Sequence, residues 1–173
     1  VIACSDGRIL AVNLDGSSRE LIRGQPILHM LLVNGKLIIL TKALVAEVYT
    51  IDSGVRKEYS LSLKDYNIDR PPRKMGYFEK NNIRALFCLS VEGYLHVLIE
   101  HSGEIKRHRM YNIADFTLVN GFLVVFENRG CYPATVYDIS RFIDAILSDK
   151  AIPSAAVDSF EKTYPCEYRC GRF

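Results

Sequence analysis

A chain of 173 residues, 49% hydrophobic, with 22 basic and 20 acidic side chains and a formal charge of +2, is long enough to bury one core and too short for two comfortable domains. Its near-balance of charge supplies no global field toward nucleic acid or an anionic membrane, so nucleic-acid binding is not expected. The longest apolar stretches, Ile27 to Val33 and Leu37 to Leu40, fall far short of the roughly 18 to 20 residues of a membrane span.

The chain opens with a three-stranded meander over residues 1–24: Val1 to Cys4, a turn at Ser5-Asp6-Gly7-Arg8, Ile9 to Leu14, a turn at Asp15-Gly16-Ser17-Ser18, and Arg19 to Ile22. Val1 leads straight into an apolar run without an initiator methionine, a polar lead-in or a cleavage-site pattern, which reads as a piece of a longer protein. A second unit, 26–61, follows Pro26 with Ile27 to Val33, the Asn34-Gly35 turn, Leu37 to Thr41, Ala46 to Ile51, the Asp52-Ser53-Gly54 turn, and Lys57 to Leu61. Glycine, with asparagine or aspartate before it, supplies the positive φ that tight two-residue hairpin turns demand. Polar and apolar positions alternate from Glu47 to Asp52, the mark of a half-buried outer strand. Leu37-Ile38-Ile39-Leu40 is apolar on both faces and belongs inside.

Residues 62–82 break the rhythm with charge, with Pro71 and Pro72, and with Glu79-Lys80-Asn81-Asn82, and read as a loop or crossover. The third unit, 83–110, resumes with Ile83 to Ser90, a turn at Val91-Glu92-Gly93-Tyr94, a strand to Glu100, the Ser102-Gly103 turn, and Glu104 to Met110. Its basic run Lys106-Arg107-His108-Arg109 sits on an edge strand, where alternation sends Lys106 and His108 to one face and Arg107 and Arg109 to the other. A split of that kind protects an edge from aggregation and makes a poor phosphate site. The fourth unit, 114–139, runs Ala114 to Val119, Asn120-Gly121, Phe122 to Glu127, Arg129-Gly130, and Ala134 to Ile139. In the closing segment, 140–173, Phe142, Ile143, Ile146 and Leu147 line one face of an amphipathic helix over Ser140 to Lys150, with Asp138 or Ser140 as N-cap. Beyond Pro153, a further helical turn over Ala155 to Phe160 and an irregular tail from Thr163 to Phe173 are expected.

Leu32-Val33-Asn34-Gly35-Lys36-Leu37-Ile38-Ile39-Leu40 recurs in pattern as Leu118-Val119-Asn120-Gly121-Phe122-Leu123-Val124-Val125-Phe126, 86 positions later. Two units over that distance give a period of about 43 residues, within the range of a β-propeller blade of three or four strands. Residues 1 to about 139 thus resemble the β-propeller superfamily, as degenerate WD-repeat-like blades that lack tryptophan and the Gly-His and Trp-Asp dipeptides. Asp6-Gly7-Arg8-Ile9 followed by Asn13 to Ser17 also looks like the blade grammar of extracellular propellers of the low-density-lipoprotein-receptor type. The fold class expected is all-β, antiparallel meander blades of a partial propeller with a short C-terminal helix and irregular tail, the alternative being an antiparallel sandwich or open barrel.

Chemistry is sparse in these residues. Five cysteines, Cys131 among them, are an odd number, so at least one is free or pairs outside the chain: Cys4 and Cys88 sit in apolar runs, and Cys166 and Cys170 form a local disulfide or stay reduced. No second Cys or His pair completes a tetrahedral zinc site with them, and His29, His96, His101 and His108 are remote in sequence. There is no Gly-X-Ser-X-Gly elbow, no glycine-rich phosphate loop and no sialidase-type box, and Glu100 and Glu104 cannot be set across a substrate from sequence. Neither catalysis nor a cofactor or metal is expected. The function expected is a non-catalytic protein–protein interaction or scaffold module of a larger assembly, cytoplasmic or nuclear, with other proteins as partners. The alternatives are a secreted ligand-binding propeller or a propeller-type glycan hydrolase. Tyr and Arg dominate interface hot spots, which singles out the loop residues Tyr66, Arg70, Arg73, Tyr77, Tyr111 and Tyr132. Phe142 and Ile146 join them if the helix docks on another chain rather than capping the last blade.

Overall fold

The computed structural model describes residues 1–4, 6–51, 54–128 and 134–152. Fourteen strands among them form four antiparallel sheets. Sheet one holds β1 (Ile2–Ala3), β2 (Arg8–Val12) and β3 (Ser18–Arg23). Sheet two holds β4 (Ile27–Val33), β5 (Lys36–Thr41), β6 (Val45–Thr50) and β7 (Arg56–Ser62). Sheet three holds β8 (Lys74–Lys80), β9 (Ile83–Leu89), β10 (Leu95–His101) and β11 (Glu104–Met110), and sheet four β12 (Ile113–Val119), β13 (Phe122–Glu127) and β14 (Ala134–Asp138). Every strand lies beside its neighbour in sequence, so each sheet is a meander. Helix α1 (Ile139–Leu147) follows β14 directly. The chain divides into two compact units, one of Val1–Tyr77 with Leu86–Ser90, the other of Phe78–Ala85 with the described residues from Val91 onward.

The Asn-Gly turns do what their chemistry requires. Asn34 and Gly35 have φ of 48° and 74°, and Asn120 and Gly121 have 49° and 81°. Two successive left-handed residues make a type I′ turn, whose twist matches that of the flanking strands. The turns close the pairs Val33↔Lys36 and Val119↔Phe122 and so set the register of β4 on β5 and of β12 on β13.

In the first unit, Ile9 of β2 and Leu37 and Ile39 of β5 form one buried cluster, against which Leu21, Ile22, Met30 and Tyr49 pack. Ile38 and Leu40, on the other side of β5, are also 0% exposed, so this strand is buried on both faces as its unbroken apolar run requires. β6 alternates as its sequence dictates, but it is not the outer strand: it pairs with β5 on one side and β7 on the other.

Residues 62–82 are not one loop. A 3₁₀ turn at Leu63–Tyr66 ends on Asn67, which is left-handed at φ 56°, and β8 then occupies Lys74–Lys80. In β8, Met75 and Tyr77 are 6% and 4% exposed, a period-two burial that the surrounding charge and the proline pair conceal in the sequence. Asn81 and Asn82, at φ 51° and 60°, supply the hairpin turn into β9 without a glycine.

Helix α1 starts one residue earlier and ends sooner than its periodicity suggests. The Asp138 carboxylate accepts a hydrogen bond from the Arg141 backbone N–H at 3.0 Å and caps the helix, an interaction worth about 0.5–2 kcal/mol. The helix packs on β14 and β11. Phe142, Ile143 and Ile146 are 0%, 1% and 8% exposed. At its C-terminal end, Lys106 Nζ of β11 donates to the Leu147 carbonyl at 2.8 Å and pairs with Asp149 at 2.9 Å, a cation placed where the helix dipole is negative. The expectations for Ala155 to Phe160, the tail from Thr163, Cys131, Cys166 and Cys170 lie outside the described residues.

Candidate interaction surface

The hairpin of β10 and β11 pairs His96 with Arg109, Val97 with His108, Leu98 with Arg107 and Ile99 with Lys106, so the basic run does divide between two faces. One face belongs to the helix: Lys106 reaches its last carbonyl, and the His108 ring meets Phe142 edge-on at 5.9 Å. The other face carries Arg107 and Arg109, both exposed.

On that face Arg109 is held by two tyrosines. Its guanidinium carbon lies 5.3 Å from the Tyr94 ring centroid and 4.8 Å from that of Tyr111. Nε and Nη2 both donate to the Tyr111 hydroxyl, at 3.1 and 2.7 Å. The two rings meet edge to face at 5.6 Å, a favourable arrangement for their quadrupoles. Strand ends position all three groups: Tyr94 precedes β10, Arg109 is the penultimate residue of β11, and Tyr111 follows it. Beneath the turn, a Cβ on Gly93 (φ 82°) would lie 3.2 Å from the Ile113 carbonyl, so the backbone there is closely packed.

His96 lies next to this cluster, its ring 6.3 Å from that of Tyr94 and only 5% exposed. Its Nδ1 makes no hydrogen bond among the described residues. Burial, with smaller contributions from the Arg107 and Arg109 cations, pushes the imidazolium pKa below its ordinary 6.5, and burial does the same for His108. The unfolded chain therefore binds protons that the folded one refuses, so stability is complete above about pH 6.5 and declines as pH falls below that value. The urea midpoint should drop between pH 7.5 and pH 5, and a His96→Gln variant should show a shallower drop; identical slopes would remove His96 from this account.

Among the described residues, no group of three His, Cys, Asp or Glu side chains is placed to hold a metal ion, and no helix is long and apolar enough to cross a membrane. No family model matches the sequence, and no curated protein matches it. Among solved structures, the N-terminal domain of Nup159 matches with a TM-score of 0.53 at 12% identity, over 79% of this chain and 46% of that one. The fold is that of a partial β-propeller. The chain spans about half the length of the domain it matches, and at this identity the likeness concerns the fold alone.

Seen as blades, the four sheets place the sequence-derived candidates unevenly. Tyr111 lies in the Arg109 cluster and is 55% exposed. Tyr66 ends the 3₁₀ turn half-buried, and Arg70 is exposed. Arg73 is exposed and tied to the end of β9, its backbone N–H donating to the Leu89 carbonyl at 2.8 Å and its Nε to that of Ser90 at 3.3 Å. Three assignments are corrected. Tyr77 is an inward-facing strand residue rather than a loop residue, and Phe142 and Ile146 are covered by their own chain, so the helix does not present them to a partner. Tyr132 lies outside the described residues. Sequence reading passed over Tyr94 and treated Arg109 only as edge charge. The signal was present in the hairpin register, because a turn at Ser102-Gly103 returns Arg109 and Tyr111 to the level of Tyr94.

Cys88 is 0% exposed, and burial pushes its thiol up to about 12. It should stay unreactive toward an aromatic disulfide reagent at pH 8 in the native protein and react at once in denaturant; rapid native labelling at Cys88, located by mass spectrometry, would contradict this burial.

Proposed function

We propose that this chain is a non-catalytic protein–protein interaction module of a cytoplasmic or nuclear assembly. The observation that carries the reading is the Tyr94–Arg109–Tyr111 cluster, a cation fixed between two aromatic rings on strand ends. Such a group loses little side-chain entropy on binding, because its rotamers are already fixed by hydrogen bonds and ring contacts. Arg and Tyr are also the side chains that contribute most per residue at interfaces. The complementary surface is a protein segment offering carboxylate or aromatic groups to the guanidinium and the rings. The blade scaffold, a fold shared with the Nup159 N-terminal domain, supports this reading by holding such a cluster on rigid sheet.

The test compares proteins recovered on the immobilised wild-type chain, an Arg109→Ala/Tyr111→Ala variant and an Arg19→Ala control, quantified by mass spectrometry at moderate salt. Arg19 is exposed on sheet one. Removing two hot-spot side chains should lower recovery of stoichiometric companions by more than tenfold, the equivalent of about 1.4 kcal/mol, with the control unchanged. Stability should fall by no more than about 1 kcal/mol, since exposed cation–π contacts are weak. Equal recovery on all three proteins would overturn the assignment of this surface.

A further inference from the structure

The hairpin of β8 and β9 and the first turns of α1 enclose a cavity of about 120 Å³, lined entirely by residues of the second unit. Alternation along β8 sends Phe78 and Lys80 to one face and Met75, Tyr77 and Glu79 to the other. Ser140, Ile143 and Asp144 stand at i, i+3 and i+4 and so share one side of the helix. The cavity gathers these two sets together with Ile83, the first residue of β9. Its floor is apolar: Ile143 is 1% exposed, and Phe78 and Ile83 are half-buried. Its rim is polar, with Lys80 and Asn81 on the hairpin wall and Ser140 and Asp144 on the helix wall.

The two rim charges are opposite in sign, yet neither Lys80 nor Asp144 forms an ion pair or a side-chain hydrogen bond among the described residues. Their nearest competitors in sequence do not neutralise them. Glu79 lies on the other face of β8, 3.5 Å from Arg84. Arg141, three residues before Asp144 on the helix, makes no ion pair with it. A cation and an anion that line one small cavity from different walls without meeting leave a place for a group that carries both charges. The volume, about 120 Å³, is a little below the ~150 Å³ of an engineered apolar cavity that takes benzene, so it suits a branched aliphatic side chain better than a large aromatic one.

We propose that this cavity binds a branched aliphatic α-amino acid in its zwitterionic form. The α-carboxylate meets the Lys80 ammonium and the Asn81 side-chain amide on the hairpin wall. The α-ammonium donates to the Asp144 carboxylate and the Ser140 hydroxyl on the helix wall, and the side chain rests on Phe78, Ile83 and Ile143. Contacts to exposed charges are individually weak, so selectivity comes from meeting both charges and the apolar floor at once. A simple anion or cation matches only half of the rim, and a residue inside a polypeptide has neither terminal charge. This ligand site goes beyond the interaction role assigned to the Arg109 cluster and does not depend on it.

The test is a heteronuclear NMR titration of the 173-residue chain with L-leucine, carried to about 10 mM at pH 7 because so small a ligand cannot bind tightly. The backbone amides of Asn81, Ile83, Ser140 and Asp144 should shift together and saturate. Glycine, which keeps both charges and lacks the side chain, should bind at least tenfold more weakly, about the loss expected for three or four unburied carbons. L-leucinamide lacks the carboxylate and N-acetyl-L-leucine the ammonium, and each should bind at least threefold more weakly, the size of an exposed charge contact. Lys80→Met and Asp144→Asn should each raise the dissociation constant for leucine by a similar factor; both positions are exposed, so both variants should fold, which circular dichroism checks. The ligand comparisons on the wild-type chain stand without either variant. Absence of a saturable shift by about 10 mM overturns the proposal. Leucinamide or N-acetyl-leucine binding as tightly as leucine also overturns it, as a site for a polypeptide terminus, and so does unchanged leucine binding by Asp144→Asn.

Discussion

Phe142→Ala is expected to destabilise the second unit by about 3–5 kcal/mol, the range for deleting a fully buried aromatic side chain. Phe142 is 0% exposed and meets the rings of His108 at 5.9 Å and Tyr137 at 5.3 Å, one from β11 and one from β14. The side chain thus joins the helix to two strands at once. A nine-residue helix has no standing of its own in water, because nucleation is unfavourable and only packing on an apolar face repays it. Without the ring, Ile143, Ile146, the Asp138 cap and the Lys106 contact must hold α1 around the cavity it leaves. Urea unfolding followed by circular dichroism reads the loss, with the exposed neighbour Arg141→Ala expected to stay within about 0.5 kcal/mol of wild type. A loss under about 1 kcal/mol for Phe142→Ala would mean that the helix is not anchored as described.

Gly7→Ala is the second large effect, and here the damage is to backbone. Gly7 has φ 86°, a left-handed conformation that costs an L-residue about 1–2 kcal/mol. A Cβ there would also collide with the Gly24 carbonyl oxygen and stand 3.0 Å from the Gln25 carbonyl carbon and oxygen. Those atoms cannot swing aside, because the Gly24 N–H donates to the Gly7 carbonyl at 3.1 Å and ties the end of β3 to the turn before β2. Gly16 is the matched control: its φ is 82° and nothing lies within 4 Å of its would-be Cβ. Gly16→Ala should therefore show the conformational term alone, about 1 kcal/mol, and Gly7→Ala more than about 3 kcal/mol. Equal losses in urea unfolding would show that the turn relaxes around the methyl group.

Most of the architecture could be read from the residues because it is local. Asn-Gly turns between β-branched runs specify a hairpin within a dozen positions, and β4 with β5 and β12 with β13 form as their sequences dictate. β8 escaped because its alternation is short, its outward positions include Lys74 and Lys80 after two prolines, Glu79 interrupts the inward set of Met75 and Tyr77, and its turn is Asn-Asn. The helix was legible as amphipathic, but periodicity names a buried face without naming what buries it. His108 of β11 and Tyr137 of β14 decide that. The Arg109 cluster was obscured for a similar reason. Arg109 and Tyr94 are fifteen positions apart, and only the return of one strand on the other brings the cation to the ring.

The meander order of the sheets also bears on how the chain reaches its fold. Sheets that pair distant segments must close long loops before any contact rewards the lost entropy, and such proteins fold slowly. Here every hydrogen-bonded pair joins strands adjacent in sequence, across turns as short as Asn34-Gly35. Contact order is accordingly low for an all-β protein. Each sheet can nucleate at its own hairpin as soon as its residues are available, so a chain emerging from the ribosome can acquire its sheets one at a time.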